Sequence, residues 1–290
     1  MSAPLATILI PTYNRPRHLK RLLDYLESNF DLEQIKLLVL DGSTANTAAN
    51  REACLNHEAE YHDYGPDTPL LTRWLDGIKL TQTEWVSFLA DDDILQPEGY
   101  GAALDFLQNH PDYAAAHGSY IWFKEVEDEK TLIYPGYQTF SIEDDLALKR
   151  LFAFLTNYYP ITYAVYRTPI LKTAYEQTIS RLNSDSFHFT ELLSGCLPVV
   201  LGKIKKIDCS YYGRNLGPSS PRPALKYSQL LFSENFYPAY AQIKTSLKAF
   251  ITDSVNASVL DEAIDLCFGA YYGKLLNQRL LSRYFQHLVG

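Results

Sequence analysis

Trp85-Val86-Ser87-Phe88-Leu89-Ala90-Asp91-Asp92-Asp93 is an apolar run that ends in three consecutive carboxylates. Its first five residues read as a short strand buried in a sheet. Three adjacent aspartates are costly to hold together, because like charges at that distance raise one another's pKa unless a cation or hydrogen-bond donors compensate. The plainer alternative is a solvated acidic turn in which Asp93 caps the helix that follows.

Two strands of the same kind precede this one. Leu5 to Ile10 is apolar with β-branched members and stops at Pro11, after which come Thr12-Tyr13-Asn14-Arg15. Pro16 then opens a helical pattern with Leu19, Leu22, Leu23 and Leu26 at spacings of three and four. Ile35 to Leu40 is the second strand and ends at Asp41-Gly42-Ser43. Leu70 to Leu80 reads as a helix, Pro97 opens another through Leu107, and Ala114 to Phe123 is a further strand. Alternating strands and helices predict an α/β fold with a mostly parallel central sheet flanked by helices. Ligands of such sheets bind at the C-terminal ends of the strands, so Thr12, Asn14, Asp41 and the triple aspartate are expected along one edge.

Farther on, Lys124 to Tyr137 is polar and reads as a loop or hairpin, and Glu143 to Leu155 as a helix. Asn157 to Arg167 and Val199 to Tyr212 read as strands, with a short helix over Phe187 to Leu193 between them. A Gly-, Ser- and Pro-rich break spans Gly213 to Pro223, and helices are expected beyond it to Gly290. The chain thus divides into an α/β domain over residues 1–215 and a helical C-terminal extension over 216–290.

The net charge of -8 argues against nucleic acid as a partner. A local basic cluster, Lys203, Lys205, Lys206, Arg214 and Arg222, runs against that sign; it is either a solvated surface or a site for a phosphorylated ligand. Cys54, Cys196, Cys209 and Cys267 show no metal-site spacing, which favours reduced thiols in a cytoplasmic setting. No apolar stretch approaches the ~20 residues a membrane helix needs, so no transmembrane segment is expected, while peripheral contact with a membrane stays open. A homodimer also stays open.

Hard carboxylate oxygens suit Mn²⁺ or Mg²⁺, which takes one or two of them together with phosphate oxygens, so a metal-bridged diphosphate is the natural ligand of the triple aspartate. Asp41 at the neighbouring strand end can accept hydrogen bonds from a base or ribose. Thr12-Tyr13-Asn14-Arg15 stands where a dinucleotide fold has its glycine-rich loop, which speaks against NAD and against a P-loop enzyme.

In this order, Pro11-Thr12-Tyr13-Asn14-Arg15, Leu40-Asp41-Gly42-Ser43 and Phe88-Leu89-Ala90-Asp91-Asp92-Asp93 with Pro97 resemble the nucleotide-binding half of family 2 glycosyltransferases of the GT-A fold. The resemblance is good over about residues 5–125 and weaker through about 215. It implies a Rossmann-like domain with a nucleotide-sugar-binding half, 1–125, and an acceptor half, 126–215. By the same resemblance Pro11, Thr12, Tyr13 and Asn14 line the base and ribose pocket, with Arg15 and Arg73 beside the nucleotide. Asp41 would read the base, Asp92 the ribose, and Asp93 with Asp91 the metal. Many members carry two aspartates before the Gly-Ser; Leu40 replaces the first, which leaves the base undetermined between uracil and others.

The family's activity would be transfer of a sugar, with inversion, from a nucleoside diphosphate sugar (UDP-linked above all) to a hydroxyl on a glycan, lipid-linked or protein acceptor. Inversion requires a general base. The family's usual Glu-Asp pair is missing, and Asp185 and Glu191 are the nearest candidates. Tyr211-Tyr212-Gly213-Arg214 resembles the aromatic-plus-arginine end of this region, where Arg214 would neutralise the leaving diphosphate. His188 is a weaker candidate for a metal or diphosphate contact. Trp122, Tyr158, Tyr159 and Tyr163 are either an acceptor platform or core. Two other classes compete: a non-catalytic nucleotide-sugar-binding module, and a Mg²⁺-dependent nucleotidyltransferase using the same aspartates.

Overall fold

The computed structural model describes residues 3–125, 131–182, 187–217 and 230–289. Asp185 and Arg222 lie outside these described residues. Strand β1 (Ala6–Thr12) is buried along almost its whole length, as a strand must be when both faces of its sheet are covered. Helix α1 (Pro16–Asn29) begins on its proline and buries the predicted Leu19, Leu22, Leu23 and Leu26. Strand β2 (Ile35–Asp41) then pairs parallel to β1 in the register Thr12 to Asp41.

Two elements follow that the sequence did not disclose: α2 (Thr47–Asn56) and the edge strand β3 (Glu60–Asp63). The tetrapeptide of β3 is polar and half-exposed, so it carries no hydrophobic period to read. Next come α3 (Leu70–Leu80), β4 (Trp85–Phe88), the two-residue β5 (Ile94–Leu95), α4 (Pro97–Asn109) and β6 (Tyr113–Glu125). β6 turns back through β7 (Thr131–Pro135), so the polar segment is a hairpin.

The second half departs more from expectation. The helix expected from Glu143 is α5 (Ala147–Thr156), and the strand expected from Asn157 shrinks to β8 (Val165–Arg167). α6 (Thr168–Arg181) was not foreseen. α7 (Phe187–Leu201) carries on through Pro198-Val199-Val200, a β-branched run that reads locally as strand but is buried here as helix. β9 (Lys203–Asn215), α8 (Phe236–Lys248) and α9 (Ala257–Val289) complete the described elements.

Among the described residues the strands form one nine-stranded sheet in the order β3-β2-β1-β4-β8-β6-β9-β5, with β7 beside β6. β8 runs antiparallel between β4 and β6, β7 antiparallel to β6 and β5 antiparallel to β9, so the sheet is mostly parallel with three reversed strands. Alternation along the central strands splits the core in two. Ile8, Ile10, Val39 and Trp85 face α1 and α4; Leu9, Leu38, Leu40 and Phe88 face α3 and the helices beyond. The second cluster is continuous into residues 230–272, taking in Leu230, Ile243, Leu247, Ile264, Phe268 and Tyr271. No helix among the described residues is long and apolar enough to cross a membrane. This curled α/β sheet with helices on both faces is the GT-A fold.

Candidate active site

The parallel register brings the C-terminal ends of β1, β2 and β4 together. β1 contributes Thr12, whose hydroxyl donates to Asp91 Oδ2 at 2.7 Å. Arg15, in the loop after β1, reaches the same aspartate and its neighbour: Nη2 lies 2.8 Å from Asp91 Oδ1, and Nη1 donates to Asp92 Oδ2 at 2.7 Å. The Nη2 contact is a close ion pair without hydrogen-bond alignment, since Asp91 Oδ1 has no aligned donor. Burial pushes the Asp91 carboxyl up to about 6, with Arg15 and Thr12 pulling it back.

Asp93 turns the other way. Its Oδ2 accepts from the Tyr212 hydroxyl at 2.7 Å and its Oδ1 from the Asn215 backbone N–H at 2.8 Å, both on β9. Burial raises this carboxyl to about 7 against those two donors. Helix α4 starts at Gln96 without a side-chain cap, so Asp93 is not its cap. The triple aspartate therefore joins two sides of the sheet: β1 through Asp91 and Asp92, β9 through Asp93.

Asp41 ends β2 fully buried. Its Oδ1 accepts from Ser43 N–H at 2.8 Å, and its Oδ2 from Asn50 Nδ2 and the Tyr61 hydroxyl, both at 2.8 Å. Asn50 and Tyr61 lie on α2 and β3, so their role was invisible once those elements went unread. Asn14 sits at φ 56°, a left-handed conformation that asparagine tolerates better than most residues. Its side chain clamps the β2 loop, accepting from Thr44 and Ala45 N–H and donating to Thr44 Oγ1. Tyr13 beside it stays 43% exposed at the rim, while Pro11 lies within β1.

Arg73 lies buried beneath this edge, with Nη1 3.3 Å from Leu40 O and 3.4 Å from Thr12 O. A Cβ on Gly42 would fall 2.3 Å from that guanidinium, so a larger residue there would force the Arg73 side chain to move. The Nε atoms of Arg15 and of Arg73 are buried without an acceptor. Two guanidiniums with unmet donors at the ends of β1 and β2 suit an anionic ligand.

Among the described residues no group of three or more acidic, histidine or cysteine side chains gathers as a metal cage. A Mg²⁺- or Mn²⁺-type ion needs only one or two carboxylates when phosphate supplies the rest. Asp91 and Asp93 are buried carboxylates of the oxygen-donor type such an ion takes, Asp91 turned to Thr12 and Arg15 and Asp93 to Tyr212 and Asn215.

The remaining candidates lie apart. Glu191, on α7, is near Tyr158, whose phenol is raised by burial first and by its charge second, and near Tyr175, raised by burial against a Ser194 hydrogen bond with a smaller push from Glu191. Tyr163 links the two regions, stacking on Tyr212 at 4.5 Å and acting on Tyr175 electrostatically. His188 is buried against Tyr271 and Tyr272. Tyr159 is core, bonded to His117, and Tyr158 packs on Phe154 and Tyr271. The basic cluster is surface: Lys203 pairs with Asp112 and Asp145, Lys205 with Glu143, and Lys206 with Asp208. Arg214 is separate from it and donates to the Tyr137 hydroxyl at 3.0 Å.

Solved structures of similar fold include residues 1–349 of S. aureus TarS. That structure superposes with a TM-score of 0.57 at 16% identity, over 92% of this chain and 70% of that one. The same protein in complex with UDP-GlcNAc gives a TM-score of 0.58 at 18% identity, over 93% and 73% of the two chains. No curated protein matches by sequence. The model of the family described as "Glycosyl transferase family 2" matches residues 7–175. That span holds the whole strand edge described above, from Thr12 to Asp93, and on it the chain belongs to glycosyl transferase family 2.

Proposed function

We propose that this glycosyltransferase takes its sugar from a nucleoside diphosphate sugar, of the UDP class, and transfers it with inversion to a hydroxyl acceptor. The observation that carries the reading is the convergence of Thr12, Arg15, Asp91 and Asp92 at the shared C-terminal edge of β1, β2 and β4. The UDP-GlcNAc complex of TarS, a protein of the same fold, supports it.

In this reading the nucleotide lies across the ends of β1 and β2. Tyr13, exposed at the rim, offers an aromatic face to the base, and Asp92, the least buried of the three aspartates, reaches the ribose. Arg15 and Arg73 bring positive charge toward the phosphates. Asp41 shapes this floor through Ser43, Asn50 and Tyr61, and reading the base would use what acceptor capacity these leave. Asp93, with Asp91, would hold a divalent cation, which stabilises the departing diphosphate as a Lewis acid. Tyr212 and Asn215 keep Asp93 oriented. Glu191 and Asp185 are the proposed general bases, one of which takes the proton of the acceptor hydroxyl during attack.

Calorimetric titration with UDP and GDP, with Mn²⁺ and with chelator, tests this beside Asp93→Ala. UDP is expected to bind at least tenfold more tightly with Mn²⁺, and the variant to lose that gain. Binding without turnover of any UDP-sugar would mark a non-catalytic module. No binding of either nucleotide under any condition would end the donor reading.

A further inference from the structure

Arg15 meets Asp91 and Asp92, whereas the donors bonded to the fully buried Asp41 are all neutral. Two of them, Asn50 and Tyr61, come from α2 and β3 and reach the same atom, Oδ2, at 2.8 Å. The Tyr61 hydroxyl has a more distant acceptor in Thr47 O at 3.4 Å, so its single proton belongs to Asp41. Burial first and the Asp41 bond second raise that phenol above its ordinary value, which keeps it a donor. The Arg51 guanidinium covers its ring, 4.8 Å from the centroid.

Asn50 carries the network farther. Its Nδ2 also lies 3.3 Å from Ser43 Oγ, and that oxygen accepts the Asn14 backbone N–H at 2.7 Å. The Asn14 side chain in turn fastens Thr44 and Ala45. One amide thus ties Asp41 to both loops at this edge, the one after β1 with Tyr13 and the one after β2. Asn50 is fully buried, and its Oδ1 has no donor among the described residues. An unmet buried acceptor is destabilising, so packing alone does not account for an amide here; the bonds of its NH₂ group do.

We propose that Asn50 and Tyr61 are positioning residues for the nucleotide's base: they hold Asp41 and Ser43, and through them the Tyr13-Asn14 loop, in the shape that receives it. The inference rests on the nucleotide lying across the ends of β1 and β2. β2 and β4 flank β1 on opposite sides, so the network stands away from the triple aspartate and serves the base rather than the diphosphate.

UDP and, as a probe of the phosphate side alone, inorganic diphosphate are titrated with Mn²⁺ by calorimetry into the full chain, Tyr61→Phe, Asn50→Ala and Asn50→Asp. Melts set a temperature at which each variant is folded. Tyr61→Phe, which removes one oxygen, is expected to weaken UDP about fivefold and Asn50→Ala about tenfold, with diphosphate unchanged within about twofold. Asn50→Asp adds a readout that a merely structural role would not move. Ionised, the introduced carboxyl meets Asp41 as a like charge; protonated, it donates to Asp41 again. Its UDP affinity should therefore recover relative to the parent as pH falls from about 8 to about 5.5, and that of Asn50→Ala should not. The other titratable or charged groups acting on Asp41 or Tyr61 (Arg51, Cys54, Asp63, Arg73 and Asp91) are common to these chains. Parent-like UDP affinity in Tyr61→Phe and Asn50→Ala, equal weakening of UDP and diphosphate, or no recovery in Asn50→Asp would overturn the proposal. A parent chain that binds no UDP would instead sink the donor reading, and this role with it, so the two failures are told apart.

Discussion

Arg15 holds two buried carboxylates that would otherwise face each other uncompensated. Removing one partner of such a cluster leaves charge stranded, which costs about 3 kcal/mol or more. Arg15→Ala is therefore expected to lower stability by roughly that amount and to weaken UDP binding at least tenfold. Asp91→Asn in the same chain should recover part of the stability, and a double-mutant cycle measures it. Strict additivity would mean that the ion pair contributes nothing. His117 is a second residue whose environment fixes its charge. It is fully buried, with ring nitrogens on Gly118 O and the Tyr159 hydroxyl, and burial first and Lys206 second lower its pKa from 6.5 to about 4. Between those values the unfolded chain binds a proton that the folded chain refuses, so stability falls as pH drops from about 6.5 to about 4. The contribution reaches at most about 1.4 kcal/mol per pH unit. Denaturant melts of His117→Phe should show a shallower acid slope than the parent, whatever the change in absolute stability. An unchanged slope would remove His117 from the account. At this scale Thr12, Arg15 and the aspartates could be read from their types and order. The partners of Asp41 and Asp93 could not, because Asn50, Tyr61, Tyr212 and Asn215 are distant in sequence from what they hold.

Helix α4 and strand β9 set the far side of the site. Gln96 N–H donates to Tyr211 O at 2.8 Å, and Gly99 lets the helix approach so closely that a Cβ would lie 2.1 Å from Ser210 O. That contact fixes the stretch of β9 that carries Tyr212 and Asn215 to Asp93. Gly99→Ala would gain about 1 kcal/mol on helix propensity alone. Overlap with a backbone carbonyl should reverse the sign and leave a net loss of about 2 kcal/mol in urea unfolding. A gain in stability would mean that α4 does not pack as described. The same scale shows where element reading works. α1 and α3 were legible because an apolar stripe at helical spacing faces one covered surface. β3 was not, because a short polar edge strand has no such stripe. Val199 and Val200 misled because tertiary packing overrides the strand preference of β-branched residues.

Across the whole molecule, the core does not stop at the Gly- and Pro-rich break. Ile243, Leu247, Phe268 and Tyr271 belong to the same buried cluster as Leu9, Leu38 and Phe88. Asp253 also reaches back to cap α5, accepting from Ala147 and Leu148 N–H at 3.0 and 2.8 Å. A chain ended after Gly217 would expose that apolar face, at about 25 cal/mol per Å² of area newly wetted. It is expected to aggregate, or to bind a hydrophobic dye, at temperatures where the full chain is native. A soluble, cooperatively melting fragment would show that the helical segment is dispensable for folding.

The sequence by itself determined the α/β class, the mostly parallel sheet, and the edge along which Thr12, Asn14, Asp41 and the triple aspartate lie. Those follow from local periodicity and from a rule of parallel sheets, which need no knowledge of distant contacts. Only the tertiary structure decided how the three aspartates divide. Asp91 and Asp92 turn to Arg15 and Asp93 turns to β9, because a pairing across about 120 residues places Tyr212 and Asn215 beside it. It also separated Arg214 from the lysines near it in sequence: β9 carries Arg214 beside Trp122 and Tyr137, while Lys203, Lys205 and Lys206 find surface acids.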